Sequence, residues 1–218
     1  MKKALAILLV FVLVLGTTGC GSDSKTNDSS KKESSKESSE KTSADVINDN
    51  SSYFVKIKGK KFTAGDKIST VSKVDLKQDS KMLDKEVNKN TYLIGAGSIY
   101  NSDDKRVMSL TVFNASKEKI TVKDAVIGGF EAGDYKYSNI SDDVLSLKLE
   151  VAGGIKLGST LKDVEKVFGT TDDVYESTSL GYKTYTYKSK EVYRSYQFTI
   201  DEDGKVSKIY WQNLVFNR

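Results

Sequence analysis

The sequence predicts an α+β fold in which short helices pack on antiparallel sheet, arranged as two tandem units of one helix and three strands. Three observations predict this class. A helix with clear start and stop signals occupies residues 160–169. Alternating apolar and polar runs joined by short turns follow that helix. A fainter copy of the same pattern begins 93 residues earlier in the chain. The alternative to a duplicated unit is chance helix periodicity. The matching positions are Phe62, Gly65, Ile68, Val71, Lys73 and Val74 with Ile155, Gly158, Leu161, Val164, Lys166 and Val167.

The N-terminus has the organisation of an export signal. Met1 to Lys3 is basic, and the apolar run over residues 4–15 is too short to span a bilayer but is typical of a secretion signal. The segment that ends in Gly19-Cys20 resembles the lipobox of bacterial lipoproteins. That resemblance implies that residues 1–19 are removed and that Cys20 is acylated. The alternative is an ordinary secretory signal followed by an incidental cysteine.

Composition excludes several kinds of site. Cys20 is the only cysteine and the chain has no histidine, so disulfides within the chain, Cys/His zinc sites and His-dependent catalytic relays cannot form. The chain without its signal has 32 basic and 30 acidic side chains, a balance that does not indicate nucleic-acid binding. We therefore expect no metal site, no cofactor and no nucleic-acid partner.

Residues 20–52 are rich in Ser, Lys and Glu and contain almost no apolar side chains. Such a segment cannot bury enough surface to offset its chain entropy, so we predict a disordered tether. For a flexible chain of this length the root-mean-square reach is roughly 30 Å. Because two acyl chains would anchor Cys20 stably, the folded part should remain close to the bilayer.

The first folded unit is predicted over residues 53–138. Tyr53, Val55 and Ile57 share one face of a strand, and Asp66 to Val74 has a helical pattern. Three further strands are predicted over residues 91–100, 106–115 and 120–130. Short hairpin connections make the sheet antiparallel.

The second unit is predicted over residues 139–218, and its organising element is the helix. Thr160 is a good N-cap, Asp163 can complete a capping box, and Gly169 ends the helix. The apolar side chains that share one helix face are Leu161, Val164 and Phe168. Burying each would contribute about 1.5–3 kcal/mol, whereas so short a helix is marginal alone, so it must lie on a sheet.

Strands accompany this helix on both sides. Alternating Leu145, Leu147, Leu149 and Val151 predict a strand that joins the two units. Residues 182–188, 193–201 and 206–214 are predicted strands, and Asp203-Gly204 is a hairpin turn.

One face of the last three strands is a candidate binding surface. Period-2 alternation places the large apolar side chains of these strands inward and a Tyr, Thr and Gln set outward. The proposed binding residues are Tyr182, Thr184, Thr186, Gln197, Thr199, Tyr210 and Gln212. Tyrosine offers large contact area at low entropy cost and is typical of recognition surfaces. The alternative is the solvated face of any half-exposed antiparallel sheet.

Several segments together resemble the β-lactamase-inhibitor-protein-like superfamily, which includes lipoproteins of the SmpA/OmlA type. The resemblance is clear over about residues 153–212 and faint over 59–130. The segments are Ile155-Lys-Leu-Gly158, Phe168-Gly169, Tyr185-Thr-Tyr187, Tyr196-Gln-Phe198 and Gly204-Lys-Val-Ser-Lys-Ile209. The resemblance implies a helix packed on an antiparallel sheet, often as a tandem pair, and a sheet face that is open and can hold a partner protein.

These observations lead to one expected function and three alternatives. We expect a non-catalytic lipoprotein on the extracytoplasmic face of the membrane that binds a protein or cell-wall partner; the Ser/Lys tether is typical of Gram-positive bacteria. The first alternative is an inhibitor of an extracellular hydrolase such as a β-lactamase or protease. The second is a glycan hydrolase with two carboxylates roughly 5–10 Å apart. The third is a purely structural role at the cell surface.

The anchoring hypothesis predicts the effect of Cys20→Ser. Without the thiol no acyl chain can be attached, so the substituted protein should leave the membrane fraction for the soluble fraction of the cell envelope or the medium. Cell fractionation with immunoblotting measures this distribution. An unchanged membrane fraction would show that lipidation is not the anchor.

Overall fold

The computed structural model describes residues 43–214. The predicted signal peptide, Cys20 and the tether up to residue 42 lie outside the described residues. Among the helices of residues 43–214, none combines the length and apolar character needed to cross a bilayer.

The described chain is built mainly from strands. The strands are β1 Phe54–Ile57, β2 Lys60–Thr63, β3 Lys77–Gln78, β4 Glu86–Val87, β5 Tyr92–Tyr100, β6 Arg106–Phe113, β7 Ile120–Thr121, β8 Val126–Gly133, β9 Val174–Ser177, β10 Tyr182–Lys188, β11 Arg194–Asp201 and β12 Val206–Asn213. The α-helices are α1 Ser43–Asn48, α2 Asp142–Leu145 and α3 Leu161–Phe168. Short 3₁₀ helices span Asn50–Ser52, Ile68–Val74, Ser80–Met82, Val122–Asp124, Tyr137–Asn139 and Ala152–Gly154.

Eight of these strands form one antiparallel sheet in the order β3-β5-β6-β8-β12-β11-β10-β9. Strands from the first half of the chain occupy one side of the sheet and strands from the second half the other. The two halves meet where β8 pairs with β12 over five residue pairs. The other four strands form two separate two-stranded sheets, β1-β2 and β4-β7.

The predicted α+β class is wrong. The described part of the chain is mostly antiparallel sheet, with 42% strand against 22% helix, and its helices are short. The helix-plus-three-strand units are not separate layers, because β8 and β12 join their strands into one continuous sheet. Alternation along a strand predicts which side chains share a face, but it does not predict which distant strand lies alongside.

The fold begins earlier than the sequence predicts. The tether was expected to continue to residue 52, but α1 lies inside that range and buries Val46 and Ile47. The Tyr53 hydroxyl donates a hydrogen bond to the Ile47 carbonyl at 2.8 Å. The Arg194 guanidinium donates to the Asn48 carbonyl at 3.0 Å. Two apolar side chains were too weak a signal against the surrounding polar composition.

Two other local predictions differ from the structure. The predicted strand over residues 145–151 is wrong, since α2 ends at Leu145 and an irregular segment with Lys148 at φ 49° follows. Leu147, Leu149 and Val151 are nevertheless buried, so their alternation reflects contacts with the core rather than a strand. The helix predicted over residues 66–74 is a 3₁₀ helix that begins at Ile68.

The predicted helix α3 is confirmed together with its capping box. The Thr160 hydroxyl oxygen accepts from the Asp163 amide at 3.2 Å, and the Asp163 carboxylate accepts from the Thr160 amide at 2.8 Å. The hydrogen bonds from Thr160 lower the pKa of Asp163 below its usual value. Gly169 ends the helix at φ 74°.

Phe168 attaches α3 to the inner face of the eight-stranded sheet. Its ring centroid lies 5.4 Å from that of Tyr187, 4.9 Å from Tyr196 and 5.1 Å from Phe198. Trp211 is fully buried further along the same face. One aromatic core therefore lies between the sheet and the short helices.

Removing the Phe168 ring should open a cavity in this core. We expect Phe168→Ala to lower the free energy of unfolding by about 3–5 kcal/mol and Phe168→Leu by clearly less. Urea unfolding followed by the fluorescence of Trp211, the single tryptophan, measures both values. A loss below about 1 kcal/mol for Phe168→Ala would show that the ring does not anchor the helix.

Candidate functional site

The outer face of the eight-stranded sheet carries two neighbouring rows of side chains, fixed by the strand pairing. In each row successive residues lie directly opposite one another on adjacent strands. The first row runs through Thr186, Gln197, Tyr210 and Glu131. The second row runs through Tyr175, Thr184, Thr199 and Lys208. Opposite side chains of this kind lie within contact distance of each other.

These rows line a groove of about 310 Å³, which we call the outer groove. Its lining residues are Glu131, Tyr135, Tyr175, Thr184, Thr186, Gln197, Thr199, Lys208 and Tyr210. Thr186 and Thr199 form the floor, with 9% and 4% of their surface exposed. The groove is therefore a depression in the sheet face rather than a flat surface.

The structure brings five of the seven predicted binding residues together in the outer groove. They are Thr184, Thr186, Gln197, Thr199 and Tyr210. Tyr182 borders the groove, since its ring stacks on that of Tyr135 at 4.8 Å with an interplanar angle of 17°. Gln212 accepts a hydrogen bond from the Tyr210 hydroxyl at 2.7 Å. Tyr182 and Gln212 are partly exposed, so neither is enclosed in the core.

Four residues of the groove lining are not among the predicted binding residues: Tyr175, Tyr135, Glu131 and Lys208, the last of which lies on the outward face of β12 beside Tyr210. Tyr175 lies on β9, a strand that was not predicted and that lacks apolar and polar alternation, since its first three residues are all exposed. Tyr135 follows β8 in a loop, where periodicity gives no signal. Glu131 is contributed by β8 and reaches the groove only because β8 pairs with β12.

The outer groove contains one pair of opposite charges. The Lys208 ammonium lies 3.2 Å from the Glu131 carboxylate and 5.2 Å from the centroid of the Tyr135 ring. Both partners are partly exposed, so the pair contributes little to stability. Because the two charges compensate each other, the side chains that line the outer groove carry no net charge.

The floor retains unused hydrogen-bonding capacity. The Thr184 and Thr199 hydroxyls bond each other at 3.1 Å, which leaves each oxygen able to accept another bond. Within residues 43–214, the Gln197 amide and the Thr186 hydroxyl form no hydrogen bond with protein. These groups are available to water or to a ligand.

Tyr210 is held in its protonated form. Burial, followed by the nearby Glu131 and Tyr92, raises the pKa of Tyr210 to about 12. The raised pKa extends the range over which the phenol stays neutral from about pH 10 to about pH 12, and the neutral hydroxyl donates to Gln212. This fixes the ring orientation in the middle of the first row.

Buried carboxylates elsewhere do not add a reactive group to this face. Asp201 is buried, and its carboxylate accepts hydrogen bonds from the backbone amides of Tyr137, Asp203 and Lys205. These bonds shape the predicted Asp203-Gly204 hairpin turn. Among the residues described, no group of three His, Cys, Asp or Glu side chains could hold a metal ion. The geometry of the outer groove is suited to recognition by contact and hydrogen bonding.

Comparison of the chain with family models, curated proteins and solved structures finds no match. The resemblance to the β-lactamase-inhibitor-protein-like superfamily therefore stays a prediction.

The raised pKa of Tyr210 predicts its behaviour in alkali. Its folded-state pKa of about 12 lies above the ordinary 10.0, so its contribution to stability is complete below pH 10 and is lost as the pH rises towards 12. Tyr210→Phe should remove one phenol from the ultraviolet titration step near pH 12 and flatten the fall in stability over that range. The matched control is Tyr193→Phe, which changes an exposed tyrosine outside the groove lining.

Proposed function

We propose that the protein is a membrane-anchored extracytoplasmic lipoprotein that binds a protein or cell-wall partner in the outer groove. The observation that carries this proposal is a preformed depression with unpaired polar groups on its floor and exposed tyrosines on its walls. Tyr175 and Tyr135 expose 62% and 46% of their surface beside that floor. Large aromatic rings next to water are typical of residues that dominate binding energy.

The strand pairing supports binding because it holds the groove in shape. The Gln197 side chain lies between Thr186 and Tyr210 in one row, and each of the three belongs to a different strand of the same sheet. A ligand would therefore meet groups that are already ordered. Such preorganisation lowers the entropic cost of association.

The location proposed for the protein rests on the sequence. The basic and apolar signal over residues 1–19 and the lipobox ending at Cys20 support export and acylation. Attachment through acyl chains would place the outer groove at the extracytoplasmic surface of the membrane. The Ser/Lys-rich segment that follows supports a Gram-positive cell envelope.

One observation favours the inhibitor alternative. The connection between β10 and β11 exposes 70% of Val192 and 55% of Tyr193, an apolar tip that could enter the cleft of an extracellular hydrolase. A glycan hydrolase has less support, because the groove lining contains a single carboxylate, Glu131, paired with Lys208.

Substitution of Tyr182, which borders the groove, together with Tyr210, which lines it, should strongly reduce partner capture. We expect the double variant Tyr182→Ala, Tyr210→Ala to recover at least about tenfold less partner than the parent, since about 1.4 kcal/mol of lost contact gives that ratio. The measurement is quantitative affinity purification of the anchored protein from cross-linked membranes.

Two controls decide the result. Near-parental Trp211 fluorescence and urea midpoint show that the double variant remains folded. Tyr193→Ala tests the exposed loop instead of the groove. Capture that survives the double substitution, or that is lost only with Tyr193→Ala, would contradict the proposal, and the second result would support the inhibitor alternative.

A further inference from the structure

We propose that the ligand of the outer groove is a neutral oligosaccharide segment. This inference rests on the proposed function and adds the chemical class of the partner. It depends on three properties of the groove: its charge, its size and the arrangement of aromatic and hydroxyl groups.

Charge is the first argument. The nine residues that line the groove include two charged ones, Glu131 and Lys208, which are of opposite sign and compensate each other. A site for a phosphate, an acidic polymer or a charged peptide would present unpaired charge of the opposite sign. The remaining lining residues are tyrosines, threonines and a glutamine, so the complementary ligand is polar and uncharged.

Size is the second argument. The volume of about 310 Å³ lies at the lower end of the range of about 300–1,000 Å³ that is typical of small-molecule sites. A short segment of a polymer could lie within a groove of this volume, with its most deeply inserted groups against Thr186 and Thr199.

The arrangement of groups is the third argument. Tyr175 exposes 62% of its surface, and its ring lies 6.2 Å from that of Tyr182, which is itself fixed by stacking on Tyr135. This gives an aromatic platform beside the floor. A sugar ring has an apolar C–H face and a rim of hydroxyl groups, so it can cover an aromatic ring while its rim reaches polar side chains.

The floor groups match the rim of such a ring. Each threonine hydroxyl, like each sugar hydroxyl, can both donate and accept, and the Gln197 amide offers both functions at adjacent atoms. The Thr186 hydroxyl and the Gln197 side-chain amide have no protein hydrogen bond within residues 43–214, and the two residues lie opposite each other on β10 and β11. Two neighbouring hydroxyls of one sugar could therefore bond this pair while the ring rests against Tyr175.

The test is calorimetric titration of the mature full-length lipoprotein, purified from membranes in detergent, with four neutral trisaccharides: chitotriose, cellotriose, maltotriose and β-1,4-mannotriose. We expect at least one to bind with a dissociation constant of about 1 mM or tighter. Its affinity should not change with salt concentration, because the ligand has no charge to screen.

Three single substitutions locate the binding. Tyr175→Ala removes the platform and Gln197→Ala removes the floor amide, and each should weaken the bound trisaccharide at least about tenfold. Tyr193→Ala is the matched control, since it removes a tyrosine of similar exposure that lies outside the groove lining. The Tyr193→Ala protein should bind the trisaccharide with the same affinity as the parent protein.

The outcomes separate this inference from the proposed function. If none of the four trisaccharides binds, while partner capture still depends on Tyr182 and Tyr210, the groove binds a partner of another class and the oligosaccharide inference is overturned. Binding that resists both Tyr175→Ala and Gln197→Ala also overturns it. If capture and trisaccharide binding are both absent, the proposed function fails as well.

Discussion

The pairing of β8 with β12 is the interaction on which the rest of the structure depends. It joins the strands of the two chain halves into one sheet, and it places Glu131 opposite Tyr210 on the outer face. Close approach at this junction requires glycine: Gly133 has φ 102°, and a Cβ there would collide with the Ser207 carbonyl. A Cβ on Gly129 would lie 2.8 Å from the Trp211 carbonyl oxygen. Without this pairing the outer groove would have no Glu131 and no Tyr135.

The two faces of β10, β11 and β12 contribute differently to the packed core. Inward side chains such as Tyr196 and Phe198 are fully buried and pack against Phe168. Outward neighbours on the same strands, such as Gln197, do not enter that core. Substitution of an outward residue such as Gln197 should therefore disturb the packed core less than substitution of Tyr196 or Phe198.

Local patterns in the sequence were sufficient for some elements and insufficient for others. Three features could be predicted because each depends on residues close together in the chain. They are the N-cap at Thr160, the apolar face of α3, and the Tyr, Thr and Gln side chains on the outward face of β10, β11 and β12. The eight-stranded order could not be predicted, since pairing between β8 and β12 joins residues about 80 positions apart and leaves no local signature. Tyr135 was missed because it lies in a loop. The helix α1 was missed because Val46 and Ile47 are the only large apolar residues in it.

The attachment of α1 to Arg194 has a mechanical consequence. Arg194 belongs to β11 and shares the inner side of the sheet with Tyr196, so the folded chain starts on the side opposite the outer groove. A pull applied at Ser43 would therefore act on β11 directly, through the hydrogen bond between Arg194 and the Asn48 carbonyl. Tension at this end of the described chain would be transmitted to the strand whose outward residues Gln197 and Thr199 line the outer groove.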